Sequence, residues 1–296
     1  MALPQTGIFA LGTLAHAYLE FDLDPDAEPS AMVATAAGLG EPRTTLGGVN
    51  LVTGIRPELW AAVAPAHAPR HAASFDQPVV GRDGYTMPAT QHDLIMWIAG
   101  PAYDVVFDVS LAILDALAGT AVLVEETVGW SYHRDLDLTG FIDGTENPSL
   151  AAAPAMVLIP DGAPGAGGTV LLLQKWEHDA AWMRLSQAGQ ERVIGRAKLD
   201  SVELDDRPDT AHAARTDQDQ FGHIFRRNTP YGSVLNHGTM FVGFSAARSP
   251  LHTMLESMAG VTTERDALTH YARPLTGAYY FIPALDDLAA RAAPDS

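Results

Sequence analysis

The sequence predicts an α+β fold made of two similar halves, and two observations carry that reading. A short apolar run followed by a helical pattern occurs twice, first as residues 93–100 then 101–118, and again as 239–244 then a stretch through Leu251, Leu255 and Met258 to Gly260. Strands and helices also mix without the strict alternation that a parallel sheet requires, so the sheets should be antiparallel. The repeat places a boundary near Arg134 to Gly140 and divides the chain into residues 1–135 and 136–296.

The elements follow in order. Residues 8–23 read as a strand with Phe9, Leu11, Leu19 and Phe21 among small and polar residues, and 31–40 read as a helix ending on glycines. Residues 93–100 are apolar enough for a buried strand, and the helical pattern after them stops at Gly119. A strand over 121–130 leads into the second half. There 155–159 and 168–176 read as strands joined by the flexible connection 160–167, in which three glycines and two prolines break regular structure. A strand over 239–244, a helix to Gly260 and a last strand over 279–283 complete the pattern.

At 296 residues the chain is long enough for a large buried core, and 47% hydrophobic residues with a mean hydropathy of +0.02 fit a water-soluble protein. A formal net charge of −18 argues against nucleic acid and anionic membranes as partners, since both need basic patches. There is no cysteine, which excludes disulfides, thiolate catalysis, iron–sulfur clusters and thiolate-bound haem. The N-terminal residues lack the basic start and apolar core of an export signal, so a cytoplasmic location is expected.

The most informative stretch is residues 140–148, GFIDGTENP. Gly144 can adopt backbone angles closed to other residues, Pro148 fixes the exit, and Thr145 and Asn147 can tie the turn to itself. Asp143 is thereby held at a defined angle, as a carboxylate that moves protons must be. These nine residues resemble the signature of the dye-decolorizing peroxidases, haem enzymes that reduce hydrogen peroxide. That resemblance implies two ferredoxin-like halves with antiparallel sheets and flanking helices, with one haem b per subunit in the second. It also implies that Ile142, Gly144 and Thr145 border the cofactor.

A cysteine-free peroxidase needs an axial imidazole, a group that moves a proton and a cation that polarises peroxide. Eleven histidines compete for the axial place. The stretch 209–216, DTAHAART, resembles the family's ligand motif, which makes His212 the expected metal ligand and His223 the runner-up. Small alanines around His212 would admit a flat macrocycle. Residues 224–232, IFRRNTPYG, form the next motif. In an extended segment Ile224, Arg226 and Asn228 share one face while Phe225 and Arg227 point the other way. The resemblance places Arg226 and Asn228 on the peroxide side with Asp143. It also makes Asp266 the carboxylate behind the axial histidine and Arg215 a partner for a haem carboxylate.

The expected chemistry is peroxide reduction, with Asp143 shuttling a proton and Arg226 stabilising charge, followed by oxidation of a dye, phenol or other one-electron donor. Trp60, Trp97, Trp130, Trp176, Trp182 and the eight tyrosines are candidate electron carriers, and core packing or an ordinary surface position is the better explanation of each. Haem binding or iron release without turnover is the alternative. A hydrolytic metal site lacks the His-Glu-x-x-His pattern. The compact bacterial B-type is the subgroup implied, which brings an expectation of homo-oligomers. Members of the family can also be cargo of a protein shell through an extended C-terminal tail, which the short stretch 289–296 does not provide.

Overall fold

The computed structural model describes residues 2–39 and 48–292. Gly40, read above as the end of a helix, and the last four residues of the tail lie outside the described residues. In chain order the strands are β1 (Ala15–Leu23), β2 (Asn50–Ile55), β3 (Val79–Val80), β4 (Thr86–Met87), β5 (Leu94–Gly100), β6 (Ala121–Trp130), β7 (Thr169–His178), β8 (Phe225–Arg226), β9 (Thr229–Gly232), β10 (His237–Ser245), β11 (Ala272–Pro274) and β12 (Ala278–Ile282). The helices are α1 (Pro29–Gly38), α2 (Pro57–Val63), α3 (Tyr103–Leu117), α4 (Ala153–Val157), α5 (Gln187–Ile194), α6 (His212–Arg215), α7 (Gln218–Phe221), α8 (Arg248–Ala259) and α9 (Leu285–Ala289).

The sheet pairings are antiparallel, but they do not form one separate sheet per half. A ten-stranded sheet spans both halves, and an additional β7–β10 pairing closes it on itself. Around the ring the order is β2-β5-β1-β6-β9-β10-β7-β12 and back to β2, with β8 and β11 as flanking additions. The two seams are narrow, each with a single registered pair: Gly129 opposite Tyr231, and Phe281 opposite Ile55. A Cβ on Gly129 would stand 2.6 Å from the Thr229 hydroxyl, so only glycine lets β6 and β9 approach this closely.

Closure gives β1 two buried faces. Along β1, Ala15, Ala17, Leu19 and Phe21 pack outward against α1, α2 and α3, while Tyr18 points into the barrel with Trp97, Tyr280 and Phe244. β1 is accordingly buried without a break from Ala15 to Phe21, although its sequence alternates apolar residues with His16, Glu20 and Asp22. On the second half, α8 covers the outer face of β7 through Leu251, Met254, Leu255 and Met258.

Two expectations fail for physical reasons. Residues 8–23 are not one strand: Thr6–Phe9 form a 3-10 turn. The Gln5 side chain holds that turn, donating to the carbonyls of Thr53 (2.9 Å) and Pro283 (3.0 Å) and accepting from the Thr53 amide (2.7 Å). Residues 155–159 are not a strand either. Pro154 starts the short helix α4, whose Ala153 and Val157 pack into the barrel core. A short apolar run satisfies a buried helix and a buried strand equally, so periodicity does not separate them.

Candidate functional site

A cavity open to solvent lies between the outer face of the sheet around β7 and β10 and a wall made of α5, α6, α8 and the 137–146 loop. Alternation along an extended chain supplies its floor. Leu172, Gln174, Trp176 and His178 of β7 face it, as do Thr239 and Phe241 of β10 and Ile224, Arg226 and Asn228 around β8. Phe225 faces the barrel instead, and the Arg227 guanidinium lies over the Trp97 ring at 4.6 Å.

The signature loop reaches the floor through side-chain hydrogen bonds. Asp143 Oδ1 accepts from Asn228 Nδ2 at 2.8 Å, and Oδ2 accepts from the Asn228 amide at 3.3 Å. Asn228 is itself fixed, because its Oδ1 accepts from the Val242 amide at 3.1 Å. Asn147 does not tie the turn to itself. Its side chain spans to β8, with Nδ2 donating to the Arg226 carbonyl and Oδ1 accepting from the Arg226 amide, both at 2.8 Å. Gly144 makes room for this clamp: it sits at φ +72°, and a Cβ there would be 2.6 Å from Asn147 Nδ2. Ile142 and Thr145 line the cavity, whereas Gly144 lies behind them and serves the clamp.

From the helical wall, His212 enters the cavity at the first position of α6. Its Nδ1 is 2.7 Å from Asp266 Oδ2, and Asp266 is fully buried. Asp266 Oδ1 accepts from the Leu268 amide at 2.8 Å, so both carboxylate oxygens are engaged. The carboxylate assigns the proton to Nδ1 and leaves Nε2 with its lone pair free. His223, the runner-up, is solvent-exposed and lies outside the cavity.

Arg215 lies elsewhere. It lines a separate surface cleft and donates to Thr263 Oγ1 at 2.8 Å. The second guanidinium of the cavity belongs to Arg196, paired with Glu146 and Glu203 at 2.7 Å each. Sequence reasoning had no motif for Arg196. It also passed over Asp137 and His178, although the same-face spacing 172, 174, 176, 178 along β7 was available to find His178. Burial, and then the neighbouring His237, lower the His178 pKa to about 4, so it is neutral at physiological pH. Its Nε2 is 3.1 Å from the Thr239 hydroxyl. Burial, with the nearby Asp143 charge adding to it, raises Asp137 to about 6 against the hydrogen bonds from Thr139.

Asp143 and Arg226 make no ion pair among the described residues. Arg226 Nε is buried without a hydrogen-bond partner. Such an orphaned donor costs roughly 1–3 kcal/mol unless something in the cavity accepts from it. No group of three or more metal-ligating side chains exists among the described residues. His67 and His71, at the spacing of two ligands on one helix, form no such site, and His67 pairs with Asp287 at 2.7 Å. The donor set therefore suits a flat group ligated by one imidazole, bordered by apolar α8 side chains, with acid and guanidinium on the sheet side.

Comparison with known proteins points to one family. Residues 134–287 match the family model described as Dyp-type peroxidase, C-terminal. The chain is 33% identical to a dye-decolorizing peroxidase of Rhodococcus erythropolis, over 97% of this chain and 88% of that protein. It is 35% identical to one of Mycobacterium tuberculosis, over 86% and 78% respectively. The structure of DyPB from Rhodococcus jostii RHA1 superposes with a TM-score of 0.86 at 32% identity, covering 97% of each chain. A variant of that protein is described in complex with haem. With the signature loop, the buried His–Asp pair and this similarity across nearly the whole length, the chain belongs to the dye-decolorizing peroxidase family.

Proposed function

We propose that the chain is a haem-dependent peroxidase in which His212 Nε2 is the axial ligand and Asp143, Arg226 and Asn228 handle peroxide. The fold we propose for this task is two ferredoxin-like halves, residues 1–135 and 136–296, joined in one barrel, with one haem b in the second. Haem held through His212 supplies the iron that passes two electrons to the peroxide oxygen–oxygen bond.

The remaining work belongs to the side chains. Asp143 takes the proton from the inner peroxide oxygen and returns it to the outer one, which leaves as water. Asn228 fixes the angle of that carboxylate through two hydrogen bonds and keeps it from turning toward Arg226. The half-buried Arg226 side chain, whose buried Nε has no partner, stabilises the negative charge on the departing oxygen. Asp266 holds the His212 ring and raises its basicity. Ile142 and Thr145 border the cofactor, and Arg196 stands where its carboxylates would need a cation.

The single observation that carries this reading is one cavity shared by the Asp266-locked His212 and the Asn228-locked Asp143. A haem carrier needs only the first pair. We further propose hydrogen peroxide and a one-electron donor as substrates. Self-association is part of the proposal, supported by the exposed Tyr103, Phe107 and Leu111 at i, i+4 and i+8 on α3. No helix among the described residues is long and apolar enough to cross a membrane.

Stopped-flow mixing of the ferric holoprotein with peroxide tests the assignment. Asp143→Ala should slow the reaction by about 10²–10⁴-fold and Arg226→Ala by about 10²–10³-fold. If both variants react at the native rate, the roles given to these residues are wrong.

A further inference from the structure

The cleft that contains Arg215 has a composition suited to a ligand of its own. It offers roughly 460 Å³ between α6, α7 and α8 and the 261–263 turn, within the range of small-molecule sites. Phe221 and Val261 give it apolar surface, while Ser249, Thr253 and Ser257 line one side with hydroxyls. Arg215 is its cation. That guanidinium has no carboxylate within ion-pair distance among the described residues, and its Nε is buried without a partner. In a chain of net charge −18, an arginine without an ion-pair partner at a cleft is a place for an external anion. Glu256, the acid of this cleft, lies 3.9 Å from His252.

The cleft and the peroxide cavity share walls. Helix α8 turns Leu251, Met254, Leu255 and Met258 to the cavity and Ser249, Thr253, Glu256 and Ser257 to the cleft. Helix α6 likewise gives His212 and Ala213 to the cavity, and Ala214 and Arg215 to the cleft. A molecule in the cleft therefore lies about one helix diameter, 10–12 Å, from the contents of the cavity.

We propose that this cleft binds an anionic aromatic electron donor, a phenol carrying a sulfonate or carboxylate group. The acid group meets Arg215 and the serine hydroxyls, and the ring lies against Phe221. The proposal rests on the peroxidase reading above. Each bound phenol gives up one electron across the α6–α8 wall and its hydroxyl proton to solvent, leaving as a phenoxyl radical. Two phenols and one hydrogen peroxide yield two phenoxyl radicals and two waters, with the two phenol protons taken up from solvent as the retained peroxide oxygen becomes the second water.

The test uses the ferric holoenzyme without peroxide and benzenesulfonate as an unreactive probe, with benzyl alcohol as the neutral control. Calorimetric titration should show benzenesulfonate binding that Arg215→Gln weakens about tenfold or more, the loss expected for one charge-assisted hydrogen bond. Ser257→Leu should block it by filling the cleft, and benzyl alcohol should bind weakly to all three proteins. Paramagnetic relaxation of the probe protons should place them a helix diameter beyond the iron. In turnover, both variants should raise KM for a sulfonated phenol and leave kcat and the rate of reaction with peroxide unchanged. Failure of the probe to bind, binding unaffected by both variants, or relaxation that places it beside the iron would overturn the cleft proposal. Peroxide reduction with a neutral donor would still proceed in those cases, which separates this failure from failure of the peroxidase reading.

Discussion

Replacing Asp266 by Asn tests the axial assignment most directly, because it exchanges one carboxylate oxygen for an NH₂ group and leaves the shape. Asp266 is fully buried and serves two donors, His212 Nδ1 at 2.7 Å and the Leu268 amide at 2.8 Å. Asparagine has one acceptor oxygen and cannot serve both. If the oxygen faces Leu268, the amide NH₂ faces His212 and favours the tautomer protonated on Nε2, which cannot ligate a metal. If the oxygen faces His212, the NH₂ abuts the Leu268 N–H, a buried conflict worth about 1–3 kcal/mol of stability. Either arrangement also removes the negative charge behind the ring. Loss of such a partner typically costs about 10–100-fold in metal affinity, or about 1.4 kcal/mol for each factor of ten. The assay is haem transfer from the ferric holoprotein to an excess of a competing apo-globin, followed at the Soret band, with a redox titration alongside. Asp266→Asn should lose haem faster and show a raised ferric/ferrous potential. Native affinity together with an unmoved potential would refute His212 as the ligand oriented by Asp266.

Three further outcomes are expected. Asn147→Ala removes both 2.8 Å bonds that clamp the signature loop to β8. It should cost about 1–3 kcal/mol, lowering the melting temperature by a few degrees, and should slow reaction with peroxide without touching Asp143 itself. Glu20 is buried in the barrel beside Tyr280, whose hydroxyl donates to it at 2.6 Å, and burial raises its pKa to about 7. The folded state therefore holds a proton that the unfolded chain releases, so stability should fall by about 3 kcal/mol as pH rises from about 4.5 to above 7, and Glu20→Gln should flatten that slope in denaturant titrations. Adjacent arginines should separate by function: Arg226→Met should slow the peroxide reaction with little change in melting temperature. Arg227→Met should lower stability, since the Arg227 guanidinium donates to the Gly7 carbonyl and to Thr13 Oγ1 at 3.1 Å inside the barrel, while leaving the peroxide rate near native.

The site was legible wherever its chemistry is local in sequence. The GFIDGTENP turn, the alternation of Ile224, Arg226 and Asn228, and the placement of His212 need only a few neighbouring residues to be read. Asp266 could be named only by analogy, because its contact to His212 spans 54 positions. Arg196 and His178 were missed for the same reason: each lines the cavity through the course of an element whose neighbours are fixed by tertiary packing. Arg215 shows the reverse error. Three positions from His212 put Arg215 close to the same helical face, yet its long side chain runs into the separate cleft and bonds Thr263.

The same limit governs the fold. Repetition of the strand–helix pattern exposed two halves, but nothing in either half says whether its sheet stops or continues into the other. What joins them is a pair of seams with one registered residue pair each, and one seam depends on Gly129, a residue that looks incidental in its strand. Closure then has a consequence for chemistry. In an open sheet with one wet face, Arg226 and Arg227 would differ only in which was solvated. In a closed barrel covered by helices, both faces are enclosed. Neighbouring arginines of one short stretch are thus committed to different tasks, one to the cavity and one to the barrel interior, where burial lowers its pKa to about 10. The barrel is therefore part of how the site is made, because it gives Arg226 a rigid, enclosed floor and binds its neighbour to the opposite side.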